Sequence, residues 1–64
     1  MEYWLNRGFK LESVQPNNPN LWIASKPGQA AVVEVDFWDN WTKTSEWFST
    51  VERARIEARE LATV

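Results

Sequence analysis

Two groups of ionisable side chains could do chemistry. Glu34, Asp36 and Asp39 crowd the end of one apolar stretch. Three carboxylates there could hold a hard cation, or present negative charge to a basic partner. They lack the ligand spacing of a calcium loop, so the expectation is a solvated acidic edge. Arg55 and Arg59 lie one helical turn apart beside Ile56, a spacing that could hold a phosphate or carboxylate and makes both residues a candidate anion site. The competing expectation is a solvated flank, with Arg55 near Glu52 and Arg53 near Glu57. The chain has no histidine and no cysteine. That inventory removes disulfides, thiolate chemistry, zinc-finger sites and histidine catalysis. Ser-His, Cys-His, phosphate-loop and dinucleotide motifs are all missing. With 64 residues there is little volume for a pocket. The expectation is a non-enzyme with no catalytic, cofactor-binding or metal-ligating residue.

The five tryptophans are the stronger functional signal. They must be placed by the elements that carry them, and the stretch 31–38 anchors that placement. Successive strand side chains point to opposite faces. Ala31, Val33, Val35 and Phe37 form one wholly apolar set, expected to face the core. Val32, Glu34, Asp36 and Trp38 form the other, expected to be partly wet.

The remaining elements follow in chain order. Residues 1–6, with Tyr3, Trp4 and Leu5, read as a short strand or an ordered aromatic arm, and Gly8 as a turn or bulge. A strand is expected over 9–14, with Phe9 and Leu11 inward. The segment 15–20 is turn chemistry throughout. A second strand is expected over 21–25, with Leu21 and Ile23 on one face and Trp22 on the other. Pro27-Gly28 suits a type II turn, making this strand the antiparallel neighbour of a third over 30–38. Asp39-Asn40 suits a tight turn that would set Trp38 opposite Trp41 and Asp36 opposite Lys43, with a possible fourth strand over 42–48. The alternative is a polar loop. Ser49 and Glu52 have capping-box spacing, which predicts a helix over about 50–62. Val51, Ala54, Ala58, Leu61 and Ala62 then share its apolar face.

The fold class implied is α+β: an antiparallel meander of three or four strands with a C-terminal helix packed on one face. A single small domain of this size is near the lower limit for independent folding. Large aromatics or self-association must supply what disulfides cannot. The net charge of −2 is not the basic footprint of a typical DNA-binding domain. No apolar run approaches a membrane span and the N-terminus lacks a signal-peptide pattern, so a cytoplasmic location and no membrane partner are expected, the host cytoplasm if the chain is phage-encoded.

The segment Phe48-Ser49-Thr50-Val51-Glu52-Arg53-Ala54, followed by Ala58, resembles a strand-to-helix joint. Similar joints occur in the plant ethylene-response-type DNA-binding domain and the arm-binding domain of phage-type integrases. The resemblance implies a three-stranded antiparallel sheet followed by one packed helix. In those families the sheet reads DNA with basic side chains. The corresponding face here offers Lys10 and Lys43 against Glu12, Glu34 and Asp36.

One helix covers one sheet face, so the other is expected to carry Trp22, Val32, Trp38 and Trp41 in the open, with Lys43 beside them and Trp47 possible. Contiguous exposed aromatic surface marks an interaction site. The function expected is a small acidic interaction module that binds a protein partner or itself through this face, in the manner of a phage or mobile-element regulator. The alternative is nucleic-acid binding, which the net charge disfavours, with tryptophans as stacking platforms and Arg55, Arg59, Lys10 and Lys43 near phosphates.

Overall fold

Lys26 and Gln29 pair across Pro27-Gly28, and this turn sets the geometry of the sheet. Gly28 has φ +82, the value the third position of a type II turn requires. In the computed structural model, which describes residues 2–15 and 18–62 with side chains for 2–14 and 20–61, six elements follow one another. They are α1 (Glu2–Leu5), β1 (Lys10–Gln15), β2 (Asn18–Lys26), β3 (Gln29–Val35), β4 (Trp41–Lys43) and α2 (Val51–Ala62). The strands form one antiparallel sheet in the order β1-β2-β3-β4, and α2 packs on β2 and β3. The architecture is an α+β meander with a C-terminal helix. Pro16 and Asn17, part of the turn expected at 15–20, lie outside the described residues. None of the described helices is long and apolar enough to cross a membrane.

The register distributes side chains differently from the sequence expectation. Counting back from the turn pairs Ile23 with Val32 and Trp22 with Val33. Leu21, Ile23, Ala30 and Val32 therefore share one face, and Trp22, Ala24, Ala31, Val33 and Val35 share the other. The helix covers the first face, where Ala54 and Ala58 lie against Leu21, Ile23, Ala30 and Val32. Their small side chains let the helix axis approach the sheet. Val32, expected on an open face, is wholly buried there.

The second face is covered as well. Trp4 from α1 and Phe9 pack with Ala24 and Val33, and Leu11, Trp22 and Trp41 close around them. Val32 and Val33 are both at 0% exposure, so the sheet is buried on both sides at its centre. The apolar sets expected from alternation, which include Val33, Val35, Phe37, Leu11, Ile23 and Leu61, do not form one core. Val33 and Leu11 belong to the arm side and Ile23 to the helix side. Val35 is half-buried, while Phe37 and Leu61 are exposed.

The arm is a single helical turn and not a strand. Gly8 ends it at φ +85. The Gly8 amide donates to the Leu5 carbonyl and the Phe9 amide to the Trp4 carbonyl, both at 3.1 Å. This is the Schellman arrangement, which closes with an apolar contact between the residue after the glycine and the last turn. Phe9 against Trp4 supplies that contact.

β4 is shorter than the expected 42–48. After Lys43 the Thr44 amide makes one more bond to β3, to the Val32 carbonyl at 2.9 Å, and the Ser45 hydroxyl then accepts the Val32 amide in place of a backbone carbonyl at 2.9 Å. It rejoins at Phe48, which exchanges two backbone hydrogen bonds with Ala30. The helix begins at Val51, with Thr50 as its cap. The Thr50 hydroxyl accepts the Arg53 amide at 3.4 Å. Ser49, the expected cap, lies one residue outside.

Candidate functional site

The β3–β4 connection turns earlier than Asp39-Asn40. The Asp39 amide donates to the Asp36 carbonyl and the Asp36 amide to the Asn40 carbonyl, each at 3.1 Å. Asp39 takes the positive φ of 63. A turn followed by one left-handed residue makes a three-residue hairpin loop, and its tip is Phe37-Trp38. Val35, not Trp38, is opposite Trp41, and Val33, not Asp36, is opposite Lys43. Phe37 is 92% exposed and Trp38 77%, their rings edge to face at 5.4 Å.

Asp36 organises that loop from below. Its carboxylate accepts the Trp38 and Asn40 amides at 2.9 Å each and the Asn40 side-chain amide at 3.2 Å. Hydrogen bonds to the charged form favour it. The Asn40 backbone amide is the chief cause that holds the Asp36 carboxyl below the ordinary aspartate range. Asp39 accepts the Trp41 indole N–H at 2.9 Å. Two of the three carboxylates expected at a solvated edge are therefore engaged in shaping the loop.

Between α1 and β4 runs an open groove of about 600 Å³. Tyr3, Trp41 and Trp47 supply ring surface, and Arg7, Lys26 and Lys43 supply positive charge. The cations sit on rings: Arg7 lies 3.7 Å from the Tyr3 centroid, Lys26 4.6 Å from Phe9, and Lys43 5.4 Å from Trp47. Phe9 stacks on Trp47 at 5.5 Å, and Trp4 meets Trp47 at 6.1 Å. Trp4 is 6% exposed, and its indole N–H has no hydrogen-bond partner among the described residues. A neighbouring cavity of about 730 Å³ shares Tyr3 and Trp41 with the groove and adds Glu2 and Asp39.

The structure brings some of the sequence-predicted residues together and separates others. Trp22 and Trp41 share a face, with centroids 5.7 Å apart, and both are half-buried. Lys43 lies beyond them in the groove wall, donating to the Ser45 carbonyl at 2.6 Å. Trp38 stands apart at the hairpin tip, and Val32 is under the helix. Arg55 forms a two-pronged bond with Glu12, both contacts 2.9 Å. A carboxylate of the chain already occupies the place an external anion would take. The hydrogen bond from Arg55 lowers the Glu12 carboxyl below its ordinary value. Arg59 lines a small recess beside that pair. Sequence reasoning missed Tyr3, Arg7, Lys26 and Phe37. The Tyr3-to-Arg7 spacing of one helical turn was the available signal for the first two.

Compared with protein-family models, with curated proteins and with solved structures, the chain matches none.

Proposed function

We propose that this chain is a non-enzymatic interaction module. It binds a protein partner, or a second copy of itself, through the aromatic surface of the β3–β4 hairpin and the adjoining groove. Trp38 is the anchor, and Trp41, Lys43 and the edge of Trp22 lie on the sheet side. One observation carries this reading: Phe37 and Trp38 stand in water on a loop that Asp36 holds in one shape. A large aromatic presented by an ordered loop loses little conformational freedom on binding. Aromatics of this kind dominate interface energetics.

Trp38→Glu tests the proposal. The substitution should leave the thermal unfolding midpoint unchanged, because the side chain makes no core contact. It should abolish self-association measured by sedimentation, or capture of the protein partner from the native host. Iodide should quench Trp38 in the free chain and fail to do so in the complex. If the wild type sediments as a monomer and captures no partner that the variant fails to capture, the reading is wrong.

A further inference from the structure

We infer that the groove between α1 and β4 accepts an extended segment of a partner protein with charges in blocks: carboxylates at one end, a cation at the other, and apolar side chains between. This rests on the reading of the chain as a protein-binding module, and it specifies the partner's chemistry.

Charge separation between the groove and the cavity that adjoins it is the first support. None of the residues lining the basic stretch carries a carboxylate, although acidic residues outnumber basic ones in the chain. Arg7, Lys26 and Lys43 gather at this end. Past the shared rings of Tyr3 and Trp41, the lining changes sign to Glu2 and Asp39. A ligand spanning both ends must carry the opposite polarity, and apolar side chains suit the ring surface between. An extended octapeptide reaches about 27 Å, and the longest dimension of the domain is 28 Å.

The position of the cations argues against a nucleic acid. Single-stranded chains bind by stacking bases on open ring faces along a continuous cationic track. Here Arg7 and Lys43 lie over the Tyr3 and Trp47 rings, so two of the three rings that supply the groove's surface offer charge where a base would need a bare face. The track also ends at Glu2 and Asp39, which would repel the next phosphates.

The test is a selection of random octapeptides displayed on phage against the immobilised domain, at low ionic strength. Enriched peptides should carry acidic residues at one end and basic residues at the other. The paired substitution Lys26→Met and Lys43→Met keeps the aliphatic stems on the rings and removes the charge, together with the Lys43 bond to the Ser45 carbonyl. It should weaken binding of an enriched synthetic peptide about tenfold while circular dichroism shows the domain folded. Arg7→Gln should act in the same direction. Arg59→Gln, which removes a charge from the helix on the opposite sheet face, should leave this binding intact. Peptides that depend on Trp38 but not on the two lysines would overturn the groove inference and leave the interaction surface standing. Peptides that depend on the lysines and not on Trp38 support the groove inference, and the hairpin anchor is tested separately by sedimentation and partner capture with Trp38→Glu. Enrichment without acidic residues, no enrichment, or tighter lysine-dependent binding of an oligothymidine octamer than of any selected peptide would each overturn the inference.

Discussion

The Trp4 carbonyl accepts the Phe9 amide at 3.1 Å while the two rings meet edge-on at 5.3 Å. One backbone bond and one ring contact thus fasten the N-terminal arm over the sheet face that α2 leaves bare. Both depend on Gly8 holding φ +85. A methyl group added at Gly8 meets no atom within 4 Å, so the cost of Gly8→Ala is that of the backbone alone. Chemical denaturation should show a loss of about 1 kcal/mol, with Gly8→Asn costing less because asparagine tolerates the left-handed region. Equal stability of all three would show that the arm does not need this closure.

Val32 and Val33 are consecutive, fully buried and on opposite faces. Val32→Ala opens space under α2, and Val33→Ala opens space under Trp4 and Phe9. Each should destabilise the domain by about 1–3 kcal/mol in urea. Val35→Ala, at a half-buried site, should cost less, and Phe37→Ala should stay within about 0.5 kcal/mol. A negligible effect at Val33 with a full effect at Val32 would mean that the arm is not a true second core layer.

Much of the fold was legible in local signals, because strands, turn and helix each have their own chemistry. The Pro27-Gly28 turn, the apolar alternation around Val33 and the small residues on one helix face all led to the meander and its packed helix. The faces were misassigned for a physical reason. Alternation says which residues share a side within a strand, but only register says which sets of two strands match. The turn at Lys26–Gln29 carried that register, pairing Ile23 with Val32. The site was less legible. Phe37 and Trp38 look like strand residues until Asp36 turns its carboxylate onto the following amides. The groove cations come from Arg7, Lys26 and Lys43, which only the folded chain brings together.

Helix initiation rests on Thr50. Its hydroxyl accepts the Arg53 amide, and the Ala54 amide donates to its carbonyl at 3.5 Å. Thr50→Ala should cost about 0.5–2 kcal/mol. Ser49→Ala should cost only a few tenths of a kcal/mol by the same measurement. A larger loss at Ser49 than at Thr50 would return the cap to the capping-box position.

Asp36 makes the hairpin tip sensitive to acid. Its folded-state carboxyl titrates below the ordinary value of about 3.9, because the ionised form accepts amides that the neutral form holds less well. A depressed folded value means that the stabilising contribution is complete above the unfolded value. It is lost as the pH falls through the folded one. The loop should therefore keep its shape at neutral pH and loosen only below about pH 3.9. Because Asp36 is exposed, the change should be local and leave the global unfolding midpoint nearly fixed. Carboxyl carbon shifts in an NMR titration should place the Asp36 midpoint below that of an unstructured aspartate. The Trp38 and Asn40 amide protons should move with the same midpoint. Asp36→Ala should remove hydrogen-exchange protection from the Asn40 amide at every pH. In that variant the Trp38 anchor would lose its fixed presentation, and any partner bound through it should dissociate faster while the domain stays folded. A normal or raised Asp36 midpoint, or an Asn40 amide still protected in Asp36→Ala, would show that the backbone alone fixes the tip.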